Sequence, residues 1–227
     1  MAAVKLSKVI APSFAGVHSD IKKHGHTHYW LKGGRGSAKS SFISVEIVLG
    51  IMRDAGNGLH TNAVVLRRYG VTLRESVFEQ IGWAVNALGV SQLWRDSVSP
   101  MSYTYLPTGQ KILFRGVDDP TKAKSIKFSK GWAKYLWYEE CVEFEGEEKL
   151  RNINQSVLRG GADFFCILFV QSSKVRPELG QPVCGHREGG HPGPPLHLPD
   201  RPAPVAGGAV FGGGGTPQGG QTGGIPP

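Results

Sequence analysis

Cysteine is scarce, acids are outnumbered and long apolar runs are missing. The 227 residues include three cysteines, Cys141, Cys166 and Cys184, with no Cys-x-x-Cys pair among them. That excludes a disulfide framework and a paired-thiolate zinc site. No apolar run approaches the about 20 residues that cross a bilayer, and the N-terminus lacks the pattern of a secretory signal, so a soluble intracellular protein is expected. Asp and Glu number 18 against 26 Lys and Arg, a formal net charge of +8. This balance suits a polyanionic partner such as DNA. Lysine, tryptophan and tyrosine are absent from 175–227, which holds 15 of the 32 glycines and 11 of the 15 prolines. Such a segment cannot build a packed core, and residues 173–227 are expected to form a disordered, low-complexity tail. Cys184, His186, His191 and His197 within it have no metal-binding spacing.

What is present is concentrated in the stretch Gly33, Gly34, Arg35, Gly36, Ser37, Ala38, Lys39, Ser40. It follows a β-type run, 27–31, and opens a segment with helical spacing, 41–52. Strand, glycine-rich turn and helix form the setting of a phosphate-binding P-loop. Glycines let successive backbone N–H groups turn toward a phosphate, and the helix adds its free N–H groups and positive dipole end. In that pattern Lys39 reaches the β/γ-phosphates and the Ser40 hydroxyl ligates Mg²⁺. Ala38 stands where the second glycine of the pattern falls. As a small, strong helix former it is expected to begin the helix at little steric cost.

The rest of the chain reads as an α/β protein. Val64, Val65 and Leu66 resemble a buried parallel strand ending in Arg67 and Arg68, residues that either touch phosphate or DNA or solvate the sheet edge. Thr72 and Glu75 read as a capping box for a helix that runs to Leu88. Residues 101–106 and 111–115 alternate as a β-hairpin. Lys122, Lys124, Lys127 and Lys130 then form either a solvated face or a surface for a DNA backbone. Residues 135–138 are a β-type aromatic run ending in Glu139 and Glu140. An apolar strand beside a P-loop delivers a carboxylate to the metal shell, and a neighbouring acid orients or deprotonates the attacking water. A helix over 145–158 and an apolar central strand over 164–170 complete the pattern. His24, His26 and His28 alternate, either as a metal-holding trio on one strand face or as polar rim residues.

Taken in order, GGRGSAKSSF (33–42), VVLRRYGVTLRESVFEQIGWA (64–84), SPMSYTYLPTGQKILFRGVDDPTKAKSIK (99–127), LWYEECVEFEG (136–146) and RNINQSVLRGG (151–161) resemble the ATPase domain of the large subunit of tailed-phage terminases, of the PBSX-like group. The resemblance implies a three-layer α/β P-loop NTPase fold (RecA/ASCE-like) with a mainly parallel sheet over residues 1–172. It implies an ATP-hydrolysing motor that drives double-stranded DNA into a procapsid, acting in the host cell cytoplasm and away from membranes. Its partners would be the portal protein and a small terminase subunit, in a homo-oligomeric ring. By the same resemblance, Lys39 and Ser40 hold ATP and Mg²⁺, Glu139 completes the metal shell, Glu140 activates water and Arg35 stabilises charge on the γ-phosphoryl group. Two departures stand out. The Asn-Pro-Pro-type coupling turn is missing after residue 170, and a tail replaces the nuclease domain. A frameshift near 165–175, an impaired motor and no nuclease activity are therefore expected. The alternatives are another P-loop DNA translocase or helicase, and a non-catalytic remnant that binds nucleotide or DNA.

Overall fold

The computed structural model describes residues 4–118, 126–144, 146–160 and 164–172. Seven strands form one sheet: β1 (His28–Gly33), β2 (Thr61–Arg67), β3 (Trp94–Val98), β4 (Met101–Tyr105), β5 (Lys111–Gly116), β6 (Trp132–Tyr138) and β7 (Cys166–Ser172). Their order is β1-β7-β6-β2-β5-β4-β3. The first five run parallel, whereas β4 and β3 are antiparallel additions at one edge. The reason is visible in β2, whose first six residues are all buried. A strand covered on both faces needs apolar side chains at successive positions, not alternate ones.

Helices cover both faces. On one side lie α2 (Lys39–Gly56) and α3 (Glu79–Ala87), packed over Val65, Trp137 and Leu168. Every residue from Phe42 to Val48 in α2 is buried, as expected of a helix held between a sheet and further helices. On the other side α4 (Glu147–Val157) places Leu150, Ile153 and Val157 over Leu66, Tyr138 and Phe169. The Tyr138 hydroxyl donates to Asn154 Oδ1 at 2.6 Å, tying α4 to the strand that leads into the two glutamates.

A buried polar knot holds the opposite end of the sheet. Asp54, near the end of α2, accepts from Lys134 Nζ at 2.9 Å, the Tyr135 hydroxyl at 2.9 Å and Thr61 Oγ1 at 2.7 Å. A buried carboxylate is tolerable when a cation and hydrogen-bond donors surround it in this way. The knot fixes the angle at which α2 leaves the P-loop end.

Several local expectations are corrected. Helix α1 (Ala15–Lys23), for which no expectation was formed, follows a short helical turn that begins at Pro12, a position proline tolerates well. Strand β3 precedes the anticipated hairpin, pairing Trp94 to Val98 with β4. The capping box does not form. Thr72 Oγ1 donates back to the Tyr69 carbonyl, and Arg74–Phe78 is a π-helical turn that enters α3. His24 is the left-handed C-cap of α1, so the three histidines do not share a strand face. His24 stacks on Phe164 at 4.0 Å, His26 contacts Asp20 and His28 lies against Phe169. Among the described residues no helix is long and apolar enough to cross a membrane. The expected tail, Lys122 and Lys124 lie outside the described residues.

Candidate functional site

Parallel strands deliver their carboxyl ends to one rim of the sheet, and the site is built there. Gly33 ends β1 in register with Ser172 at the end of β7, while Tyr138 ends β6 beside Leu66 of β2. Every residue expected to act on ATP or Mg²⁺ except Gly33 and Gly34 lines a single cleft of about 360 Å³. Ser41, Val170 and Ser172 complete its wall.

The loop closes through two left-handed residues, Gly36 at φ +79° and Ala38 at φ +58°. Ala38 is therefore the N-cap of α2 and not its first helical residue, contrary to the expectation from its helix propensity; its carbonyl accepts the first helical bond from Phe42 N–H at 2.9 Å. The second glycine of the P-loop pattern falls at a position that needs positive φ, and alanine occupies it here against a steric cost. Lys39 follows and is buried. Its ammonium donates to the carbonyls of Gly33 (3.0 Å) and Gly34 (2.9 Å) and to Ser37 Oγ (2.7 Å). A buried cation satisfied only by neutral oxygens is matched to an anionic ligand that can replace them.

Across the cleft, Glu139 and Glu140 would point to opposite faces if β6 continued. The strand instead stops at Tyr138, and Glu140 adopts φ +51°, ψ +57°. Non-glycine residues in this region are sparsely populated and collect at functional sites. The turn brings both carboxylates to the cleft. Glu139 accepts from Ser40 Oγ at 2.8 Å on Oε1 and from the Trp137 indole at 3.0 Å on Oε2. Burial holds its carboxyl above the ordinary carboxylate range and the Glu140 charge adds to that, against the hydrogen bonds from Ser40 and Trp137. Glu140 accepts from the Ser172 hydroxyl at 2.7 Å.

These groups fit a magnesium nucleotide. Mg²⁺ takes oxygen ligands in a tight octahedron, whose adjacent oxygens lie about 2.8–3.0 Å apart for bonds of about 2.0–2.1 Å. The 2.8 Å between Ser40 Oγ and Glu139 Oε1 matches that spacing.

Two participants were missed from sequence. Trp137 was readable only as part of an aromatic run, although it lies two positions before Glu139 and thus on the same face. Ser172 is the polar end of an apolar strand, an inconspicuous signal. Arg67, read from sequence as touching phosphate or DNA or solvating the sheet edge, proves to be the β2 neighbour of Glu139, where its positive charge works against the upward shift of that carboxyl. Lys127 and Lys130 are exposed.

A family model described as phage terminase large subunit matches residues 25–170. The chain is 44% identical over 159 residues to the terminase large subunit of Bacillus phage SPP1, covering 70% of this chain and 36% of that protein. It is 31% identical over 126 residues to the PBSX phage terminase large subunit of Bacillus subtilis (strain 168), covering 55% and 27%. The chain thus spans about a third of the length of these relatives. Among solved structures, the HK97 bacteriophage large terminase superposes with a TM-score of 0.51 at 15% identity, over 72% of this chain and 33% of that one. The large terminase of a thermophilic bacteriophage gives 0.50 at 14% identity, over 75% and 39%. At these identities the likeness is one of fold.

Proposed function

The chain belongs to the phage terminase large subunit family, and from that premise we propose that its residues 1–172 form an ATPase domain that powers translocation of double-stranded DNA into a procapsid. The observation that carries the proposal is the meeting of the P-loop serine, Ser40, with the strand-end carboxylate, Glu139, beside a buried lysine in one cleft. Folds of this class serve many functions, so the assignment rests on that constellation and not on the architecture.

Each residue takes a role its surroundings support. The loop N–H groups of Gly34 to Ala38 and the start of α2 bind the phosphates. Lys39 exchanges its carbonyl partners for phosphate oxygens. Ser40 and Glu139 hold Mg²⁺, which when bound neutralises charge on the phosphate oxygens. Glu140, held by Ser172, orients the attacking water and accepts its proton. Arg35 lines the cleft and opposes the negative charge that builds on the γ-phosphoryl group. Exposed Lys127 and Lys130 supply cations toward a DNA backbone. The motor works as a ring of identical subunits on a portal protein, with a small terminase subunit delivering the DNA.

Steady-state phosphate release with Mg²⁺ and double-stranded DNA tests this. The wild-type chain should hydrolyse ATP and Lys39→Ala should not. Equal rates for the two proteins would place hydrolysis elsewhere.

A further inference from the structure

Arg67 ends β2 next to Glu139. Leu66 pairs with Tyr138, and the Glu139 N–H donates to the Leu66 carbonyl at 2.9 Å. Side chains alternate along strands. Val65 and Trp137 both lie in the core beneath α2, so Arg67 and Glu139, two positions further on, face that same side. Ser40 approaches Glu139 there. The Arg67 guanidinium is poorly served. Its Nε is buried without a hydrogen-bond partner among the described residues. One NH1 donates to the Thr72 carbonyl across 3.4 Å, beyond the normal range for such a bond. A buried donor without an acceptor is costly, and a guanidinium is the side chain best shaped to take a phosphate with two parallel bonds.

The constellation has no other assigned reader of the nucleotide from this direction. Lys39 and Arg35 line the cleft from the loop after β1, whereas Arg67 stands outside its wall at the end of β2, on the other side of β6 from β1. A cation there is attracted to Glu139 but does not share its hydrogen bonds, which Ser40 and Trp137 supply.

We propose that Arg67 distinguishes triphosphate from diphosphate: with ATP in the cleft, its guanidinium leaves the Thr72 carbonyl and takes the terminal phosphate. The proposal rests on the reading of the cleft as an ATP site. It also gives the nucleotide a route to the surface. Thr72 closes the short helical turn Gly70–Thr72, in which Val71 is 90% exposed and which leads into the π-helical Arg74–Phe78. Letting go of Thr72 removes the Arg67 tie between this turn and β2 and leaves the Thr72 carbonyl to the Ser76 hydroxyl; the tie re-forms once the terminal phosphate is lost.

Equilibrium binding of fluorescent ATPγS and fluorescent ADP, each with Mg²⁺, decides the matter in the full chain, in Arg67→Ala and in Arg67→Lys, with a thermal melt of each. Arg67→Ala should lose roughly tenfold or more in affinity for ATPγS and stay within about twofold for ADP, the scale of a lost charge-assisted bond. Arg67→Lys, which keeps the charge without the fork, should recover part of the loss. Should Arg67→Ala melt without a cooperative transition, the same ratio measured on Arg67→Lys decides. Equal losses for both nucleotides, or none for either, overturn the proposal. A wild-type chain that binds neither nucleotide overturns the reading of the cleft and this inference with it.

Discussion

The hydroxyl of Ser40 and the carboxylate of Glu139, 99 residues apart in the chain, meet at 2.8 Å. Neither is placed by its own segment. Ser40 is set by the loop that turns β1 into α2, and Glu139 by the place where β6 stops. Two strand ends and one helix start must agree for the contact to exist, which makes it a demanding product of the fold.

Glu140→Gln should bind ATPγS as the wild type does while phosphate release falls by about 100-fold or more, the usual contribution of a positioned general base. The amide keeps the hydrogen bond from Ser172 but takes no proton. Nucleotide binding measured alongside turnover checks the separation. A variant that also loses binding would give Glu140 a role in holding the nucleotide.

Ala38→Gly should stabilise the protein. Alanine at φ +58° carries a left-handed penalty that glycine avoids, and after the entropy glycine gains in the unfolded chain about 0.5–1 kcal/mol should remain. A thermal melt should rise by a few degrees. Ala38→Val should do the opposite and more strongly, because a β-branched residue is a severe outlier in this conformation.

Gly50→Ala should destabilise, against the ordinary helix preference for alanine. A Cβ at Gly50 would lie 2.5 Å from Cζ of Tyr135, whose hydroxyl is fixed on Asp54 at 2.9 Å. The ring cannot retreat without breaking the buried knot. Overpacking of this kind costs about 1–3 kcal/mol, and chemical denaturation should show a lower midpoint.

Glu139→Gln should melt higher than the wild type at neutral pH without nucleotide. Burial raises the folded-state pKa of Glu139 above its unfolded value. For a group shifted in that direction, the stabilising contribution is complete below the unfolded pKa and is lost as pH rises through the folded one. Ionised Glu139 therefore burdens the apo fold at neutral pH, and glutamine removes the burden. The difference in melting temperature should narrow as pH falls toward the ordinary glutamate range. A gap that widened on acidification would contradict the sign.

Much of this was legible in the residues, and the losses follow a pattern. The P-loop was readable because glycine, lysine and serine at fixed spacing between a strand and a helix report a backbone shape as well as a chemistry. The continuous apolar runs of β2 and β7 announced a parallel sheet, since burial on both faces leaves no alternation. Strand β3 was hidden because Trp94, Arg95 and Asp96 mix one buried with two exposed residues at the sheet edge. The capping box failed because Thr72 found a nearer carbonyl at Tyr69 and the chain entered α3 through a π turn. Ala38 was misread as a helix start because helix propensity says nothing about φ at an N-cap. Ser172 entered the site only through register, a relationship between strands that no single segment carries; Arg67 was legible at a strand's carboxyl end, but its place beside Glu139 was not.

The central claim is that Ser40 and Glu139 act on one metal ion. The affinity for ATPγS, measured with Mg²⁺ and with EDTA, gives the tightening due to the metal for wild type, Ser40→Ala, Glu139→Ala and the double variant. Residues that serve one ion are coupled, so the effects should be non-additive. Each single change should remove most of the tightening, and the double variant should lose little more. Independent, additive losses, or tightening that survives in Glu139→Ala, would contradict the account.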